Sequence, residues 1–245
     1  MRKNIRKLIK KLTPSKIKNI FIEDAVNKLN EKYKIDFEFM NISYSQEGED
    51  LVIKRYFEGK KDILFYVDIG SHHPFRFSNT AIFYKNGSKG INIDADAELI
   101  NLFRKERPND INIHSGVGLN EGLFEFYEFK EKALSTFSQK IYEERLGKGL
   151  AFNKILKIPI QSVASILSKY NINTEIDFFN IDVEGLDFEV LQSNNWERFR
   201  PKLILVEINN FNPEDLTDQV SKFLQSKDYR FYAKTVKTVF FERIR

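Results

Sequence analysis

One stretch, residues 65–96, limits what the chain can fold into more than any other part of it. A short apolar run ends at Gly70, a polar turn leads into a predicted helix over residues 79–84, and a second apolar run ends in Asp94. A strand, a turn that contains glycine, a helix and a strand ending in a carboxylate form half of a nucleotide-binding α/β unit. The order predicts a parallel sheet with a ligand site at the ends of its strands.

The turn after the first strand favours a ligand that has no pyrophosphate. It contains the single glycine Gly70, whereas the dinucleotide fingerprint requires three. Glycine lets the backbone approach a ligand closely, and an acid that ends the next strand, here Asp94, can accept hydrogen bonds from ribose hydroxyls. S-adenosylmethionine is a ligand of this kind. The alternative is an ordinary buried turn with a surface aspartate, and this stretch alone does not decide between the two.

Composition excludes several kinds of site. The 245 residues suffice for one core with a small appendage, and the absence of cysteine excludes disulfides, cysteine-based zinc sites and a thiol nucleophile. Three histidines limit metal sites built from imidazole, and the formal net charge of +4 gives no indication of a nucleic-acid partner. There is no secretory signal and no apolar run of the roughly 20 residues that a membrane span needs. We therefore expect a cytoplasmic protein.

The basic excess is concentrated in residues 1–20, which contain eight Lys or Arg and no acid. Apolar residues recur there at helical spacing, and a basic amphipathic helix can lie on an anionic membrane surface. This segment is therefore a candidate for peripheral contact with the inner membrane face. The alternatives are a solvated arm and a helix that docks on its own domain or on a second subunit. We divide the chain into this N-terminal arm, residues 1–42, and a domain over residues 43–245; no feature specifies an oligomeric state.

Strands and helices alternate along the rest of the chain. Predicted strands cover residues 111–114, 123–129, 155–160, 176–182 and 202–208, and a final hairpin joins 229–232 to 236–241. Predicted helices cover residues 51–57, 97–107, 163–170, 186–192 and 213–226. Residues 131–154 have weak periodicity and are interpreted as a substrate loop or lid. The pattern predicts a mostly parallel sheet with an antiparallel edge.

Acidic residues collect at the edge of this sheet where a ligand is expected. Ligands of such sheets bind at the C-terminal ends of the strands. That rule brings together Asp68, Gly70, Asp94, Ser115, Asp182, Glu184 and Glu207. Four separate strand ends carry carboxylates, which is more than sheet packing requires, so we expect a functional site there.

Four segments carry a resemblance to a known family: SQEGEDLVIKRYF, YVDIGSHHPFRFSNT, GINIDAD and IDFFNIDVEGLDFEVL, in this order. From about Ser43 to about Phe241 the chain resembles the FkbM-type S-adenosylmethionine-dependent methyltransferases. The resemblance implies a class I methyltransferase fold, Rossmann-like, whose seven-stranded, mostly parallel sheet ends in an antiparallel edge hairpin. Many relatives methylate hydroxyl groups of sugars in surface polysaccharides, glycolipids or natural products. The implied acceptor is a carbohydrate or glycan, and the implied product of the cofactor is S-adenosylhomocysteine.

The resemblance also implies residue roles. The turn at Asp68–Ser71 would hold the methionine part of the cofactor, Asp94 the ribose, and Ser115–Val117 the adenine. The whole implied cofactor set is Gln46, Asp68, Gly70, Ser71, Asn79, Thr80, Asp94, Ala95, Ser115, Gly116, Val117 and Asp182. Gly116 stands where the family commonly has alanine, and His72 where asparagine is usual, so no fixed role for His72 follows.

Methyl transfer to a hydroxyl group calls for a general base within hydrogen-bond reach of it. The candidates are Asp182, Glu184, His73 and Glu207. Asp182, Glu184 and Glu207 are also candidate ligands of Mg²⁺, an interpretation that we rank second to the general base. Two other functions stay open: a cofactor-binding module without methyl transfer, and a methyltransferase that acts on a non-carbohydrate acceptor. The missing glycines disfavour a nicotinamide-dependent reductase.

Overall fold

The computed structural model describes residues 40–208 and 210–244, together with Lys28 and Glu31. The predictions for residues 1–20 therefore lie outside the described residues. Ser43–Arg245 forms one compact unit, to which every element below belongs. Among the helices that the structure describes, none is long and apolar enough to cross a bilayer.

The described part of the chain alternates between strands and helices, as predicted. The strands are β1 (Phe65–Ile69), β2 (Lys89–Asp94), β3 (Ile111–His114), β4 (Gly116–Val117), β5 (Gly122–Phe129), β6 (Phe152–Gln161), β7 (Phe178–Ile181), β8 (Leu203–Glu207), β9 (Tyr229–Lys234) and β10 (Thr238–Arg243). The helices are α1 (Glu49–Phe57), α2 (Ala81–Lys85), α3 (Ala97–Glu106), α4 (Gln139–Gly147), α5 (Val163–Lys169), α6 (Asp187–Gln192) and α7 (Gln219–Gln225). A short 3-10 helix covers Lys132–Leu134.

Within this described part, seven strands form the main sheet, in the order β3-β2-β1-β7-β8-β10-β9. Strands β3, β2, β1, β7 and β8 run parallel to one another, whereas β10 pairs antiparallel with both β8 and β9. The predicted class I methyltransferase fold, with its antiparallel edge hairpin, is confirmed. Because the first five strands are parallel, their C-terminal ends lie along one edge of the sheet.

Apolar side chains cover the main sheet on both faces. On one face, Val67 and Ile69 of β1 belong to a core cluster that includes residues of α5, α6 and α7. On the other face, Tyr66 packs in a second cluster with residues of α1 and α2. Strands buried on both faces read as continuous apolar runs, which is why β1, β7 and β8 were recognisable in the sequence.

A smaller sheet has the strand order β4-β6-β5, with β5 antiparallel to β6. Strands β5 and β6 flank the segment that was predicted as a loop or lid. Residues 131–154, interpreted as a substrate loop or lid, do not form an irregular loop, because they contain the 3-10 helix, α4 and the start of β6. No residue of α4 is buried, so its sequence has no apolar face that would reveal a helix.

The predicted helix over residues 213–226 begins too early. Helix α7 starts at Gln219, where Asp218 caps it by accepting a hydrogen bond from the Ser221 amide at 2.8 Å. Upstream, the Asn212 side chain accepts from the Glu214 amide at 3.0 Å and forms a turn instead. A proline followed by two acids is also typical of a first helical turn, which explains the misplaced boundary.

Candidate active site

A cleft opens at the C-terminal ends of β1, β2, β7 and β8, where the sequence predicted a site. It encloses about 1290 Å³ when the space at its open mouth is included. The predicted cofactor residues that line it are Gln46, Asp68, Gly70, Ser71, Asn79, Asp94, Ala95, Ser115, Gly116, Val117 and Asp182. Three predicted bases, Asp182, Glu184 and Glu207, line it as well. Thr80 and His73 do not belong to this lining.

Only glycine fits at position 70. Its φ is +78°, and a Cβ atom there would lie 1.7 Å from the carbonyl oxygen of Asp182. Backbone hydrogen bonds hold this approach in place: Gly70 donates to Ile93 O at 2.9 Å, and Asp182 donates to Ile69 O at 3.0 Å. The turn after β1 therefore lies directly against the backbone that follows β7. This contact brings the predicted cofactor turn next to the predicted base.

Asp94 ends β2 with its carboxylate held by two backbone amides. Oδ2 accepts from the His72 amide at 2.8 Å, and Oδ1 accepts from the Asp96 amide at 2.7 Å. Desolvation by the surrounding protein outweighs these hydrogen bonds and raises the pKa of Asp94 to about 7. Each oxygen has a second lone pair, so the side chain can still accept hydrogen bonds from ribose hydroxyls.

The described residues fit a nucleoside ligand in two further places. The Ser71 hydroxyl is buried in the cleft wall without a hydrogen-bond partner among the described residues, although buried hydroxyls normally have one. At Gly116, a Cβ atom would lie 2.6 Å from the ring of Phe137, which also lines the cleft. An alanine at position 116 would therefore require Phe137 to move.

Two other side chains hold Asp68 in place. Its carboxylate accepts from Thr80 Oγ1 at 2.7 Å and from Asn180 Nδ2 at 2.8 Å. Asn180 in turn accepts from Asn79 Nδ2 at 2.8 Å. Burial raises the pKa of Asp68, although both hydrogen bonds oppose the shift. Thr80 therefore positions Asp68, and Asn180, an amide within the apolar run of β7, is a site residue that sequence analysis missed.

A buried ion pair supports this arrangement. Arg107 and Asp110 are fully buried, and Arg107 Nε donates to Asp110 Oδ2 at 2.9 Å. Arg107 also donates to Thr80 Oγ1 at 3.0 Å and to the Tyr66 hydroxyl at 2.7 Å. The Tyr66 hydroxyl donates to Asp110 at 2.9 Å, which closes the network. The position of Asp68 thus depends on charges that lie well inside the core.

Three carboxylates that line the cleft lie close together. Asp182, Glu184 and Glu207 each bring one oxygen to within 4.8 Å of the others, a spacing at which they could share a cation. Arg145 of α4 contacts the Glu184 carboxylate, and Lys237 Nζ lies 3.1 Å from Glu207 Oε1.

Asp182 differs from its two neighbours because no side chain among the described residues pairs with its carboxylate. It is exposed at the cleft, and the protein around it still desolvates its carboxylate in part. That desolvation, followed by the charges of Glu184, Asp187 and Glu207, raises the pKa of Asp182 well above its usual range. Desolvation also raises the pKa of Glu184, whereas the Arg145 guanidinium opposes that shift.

The segment predicted as a lid contacts the turn that carries Glu184. Glu184 has a left-handed backbone, with φ 55°, and its carbonyl accepts from Thr136 Oγ1 at 2.9 Å. At the adjacent Gly185, a Cβ atom would lie 2.1 Å from Ile141 of α4. Together with the Arg145 contact, these contacts hold the turn in place. Sequence analysis missed Thr136 and Arg145 because nothing local in the sequence links them to Glu184.

His73 has a different place from the other predicted bases. Its Nδ1 accepts the backbone amides of Phe75 and Arg76 at 3.1 and 3.0 Å. Burial and the nearby Arg76 charge lower the pKa of His73. In this arrangement the imidazole stabilises the loop after β1, outside the residues that line the cleft.

Comparisons with known proteins give the family. A model described as the Methyltransferase FkbM domain matches residues 68–231, more than half of the chain, including the acids at all four strand ends. Among solved structures, a methyltransferase from Geobacter sulfurreducens has a TM-score of 0.43 and 11% identity and covers 100% of this chain and 97% of its own. A proposed RNA methyltransferase from Pyrococcus horikoshii has a TM-score of 0.38 and 10% identity, with 84% and 93% covered. A proposed O-methyltransferase from Klebsiella pneumoniae has a TM-score of 0.34 and 9% identity, with 89% and 86% covered. No curated protein matches the chain.

Proposed function

The chain belongs to the FkbM methyltransferase family, and we propose that it transfers the methyl group of S-adenosylmethionine to a hydroxyl group of a sugar or glycan. The observation that carries the proposal is the Asp182 carboxylate, which pairs with no side chain of the described part of the chain and lines the cleft beside the Gly70 turn. A hydroxyl group needs a base when it attacks a methyl carbon, and a base beside the cofactor turn would serve that purpose.

The cofactor half of the cleft is the side of β1, β2 and β4. Asp94 would accept hydrogen bonds from the ribose, Ser71 would hydrogen-bond a polar group of the ligand, and Gly116 with Phe137 would line the adenine. When bound, S-adenosylmethionine supplies a methyl group on a sulfonium centre. The protein contributes mainly by holding the two reactants in line, because this reaction requires no covalent intermediate.

The acceptor half would use the three carboxylates differently. Asp182, whose pKa is raised, is suited to take the hydroxyl proton, since a general base works best when its pKa lies near the working pH. Arg145 favours the ionised form of Glu184, which could then accept a hydrogen bond from a second hydroxyl. The Glu207–Lys237 pair offers an acceptor and a donor. Several donors and acceptors close together suit a ligand with several neighbouring hydroxyls, which supports a carbohydrate acceptor.

Two measurements test the proposal. Calorimetric titration should detect binding of S-adenosylhomocysteine and none of NAD, which separates a methyltransferase site from a reductase site. A panel of free sugars, nucleotide sugars and phenols, incubated with S-adenosylmethionine and analysed by mass spectrometry, should yield a mass increase of one methylene on a sugar. Methylation confined to phenols would refute the carbohydrate acceptor. Cofactor binding without transfer to any acceptor would favour the binding-module interpretation.

A further inference from the structure

Phe77 places an aromatic ring at the cleft, although both the exposure of its side chain and its backbone conformation are unfavourable. The side chain is 44% exposed, although a phenyl ring gains free energy from burial. Its backbone φ is 56°, a left-handed conformation that residues with a side chain rarely adopt. Phe77 belongs to none of the buried apolar clusters of the described residues, so core packing does not explain its placement.

Contacts on both sides of Phe77 impose this conformation. On one side, the Arg76 amide donates to His73 Nδ1 at 3.0 Å, and the Arg76 guanidinium lies 3.1 Å from Glu131. On the other side, the Ser78 amide donates to Tyr44 O at 3.0 Å. A strained backbone persists where its surroundings over-determine it, and such positions concentrate at ligand sites.

The ring is oriented as well as exposed. The Arg76 guanidinium carbon lies 4.4 Å from the centroid of the Phe77 ring, so that a cation covers part of the ring surface. The ring itself lines the same cleft as Asp182, Glu184 and Glu207. The cleft therefore combines a flat apolar surface with a group of carboxylates.

We propose that Phe77 is a specificity-determining residue that stacks on the C–H face of the acceptor's sugar ring. This inference rests on the proposed function. A pyranose has an apolar face of C–H groups and a rim of hydroxyls, so it could contact an aromatic ring and the carboxylates at the same time. The apolar contact would hold the sugar while one rim hydroxyl reaches Asp182. The same chemistry excludes linear polar acceptors, which have no such face.

Kinetics of substituted proteins test this role. Phe77→Ala should raise the acceptor KM by about tenfold, because contact between the sugar and the phenyl ring is lost. The affinity for S-adenosylhomocysteine, measured by calorimetry, should stay unchanged. Phe77→Trp keeps a flat aromatic surface and should restore the acceptor KM to within about twofold of the unsubstituted protein. Phe124→Ala is the matched control, because Phe124 is 39% exposed and does not line the cleft.

Thermal unfolding tests the strain separately. Phe77→Gly and Phe77→Ala both remove the ring, but only glycine relieves the left-handed backbone, so the glycine variant should have the higher melting temperature. Equal melting temperatures would mean that no strain is held at this position.

Saturation-transfer NMR can monitor the binding of methyl glycosides in the presence of S-adenosylhomocysteine. Together with the kinetics, this measurement separates the proposed function from the role of Phe77. If the unsubstituted protein neither binds nor methylates any sugar, the proposed function and the role of Phe77 fail together. If it methylates a sugar and Phe77→Ala leaves the acceptor KM unchanged, only the role of Phe77 fails. A weaker affinity for S-adenosylhomocysteine with an unchanged acceptor KM would assign the ring to the cofactor and overturn the inference.

Discussion

Asp94 should make cofactor binding depend on pH. Desolvation raises the pKa of this carboxyl group to about 7, so near neutral pH the side chain is ionised in only part of the molecules. Ribose hydroxyls that donate to the carboxylate stabilise its ionised form and lower its pKa in the complex. Ligand binding must then release a proton at acidic pH, and the affinity must rise as the pH rises through about 7.

The magnitude follows from the pKa. If the bound-state pKa falls below about 4, the affinity at about pH 6 should be roughly tenfold weaker than at about pH 8, and at about pH 5 roughly 100-fold weaker. The folding stability of the free protein depends on pH in the opposite direction. The raised pKa of Asp94 favours the folded state below the ordinary carboxyl pKa, and this contribution is lost as the pH rises through about 7.

Titration calorimetry with S-adenosylhomocysteine, in buffers of different ionisation enthalpy, would measure both the affinity and the protons released. Adenosine is a useful second ligand because it lacks the amino-acid moiety. Asp94→Asn should weaken binding by about 1–3 kcal/mol at neutral pH and remove the pH dependence. Asp187→Asn is the control: burial raises the pKa of Asp187 to about 7 as well, but Asp187 does not line the cleft. An affinity that does not change with pH in the unsubstituted protein would refute the reasoning.

Three further predictions concern catalysis and the N-terminal segment. Asp182→Asn should keep the affinity for S-adenosylhomocysteine and lose about 100-fold or more of the methyl-transfer rate. EDTA should not affect the activity of the unsubstituted protein; activity that disappears with EDTA and returns with Mg²⁺ would make Asp182, Glu184 and Glu207 metal ligands instead. Arg145→Gln should shift the acidic limb of the pH–rate profile to higher pH, because loss of the guanidinium raises the pKa of Glu184, and Arg145→Lys should largely restore it; an unchanged profile in Arg145→Gln would show that Glu184 takes no part. Deleting residues 1–20 should abolish salt-sensitive binding to anionic liposomes and leave the affinity for S-adenosylhomocysteine intact; a full-length protein that ignores such liposomes contradicts a membrane role.

The sequence predicted the edge where the cleft lies because strand ends are local features. An apolar run that stops at a carboxylate identifies Asp94 without knowledge of any other strand, and the parallel order then brings Asp94 near Asp182. Gly70 was predicted for close approach to a ligand, and the structure adds that the nearest group is the backbone at Asp182. These features follow from chain order and from the pleat of the sheet.

Contacts between distant segments could not be predicted in the same way. Arg145 reaches Glu184 across 39 positions, and Asn180 reaches Asp68 across 112. Neither pair has a spacing that a periodic pattern could reveal. Helix α4 was missed for a related reason: a helix without a buried face has no apolar stripe, so its sequence resembles that of a loop.

The buried pair of Arg107 and Asp110 restricts how this sequence can diverge. Neither residue lines the cleft, yet Arg107 holds Thr80, and Thr80 holds Asp68. Replacing one partner leaves the other charge unpaired in the interior, which costs roughly 3–5 kcal/mol, a large share of the stability of a typical domain. Among related sequences the two positions should therefore be retained or exchanged together. Selection for folding alone would then preserve the floor of the cleft, even in descendants that no longer use it.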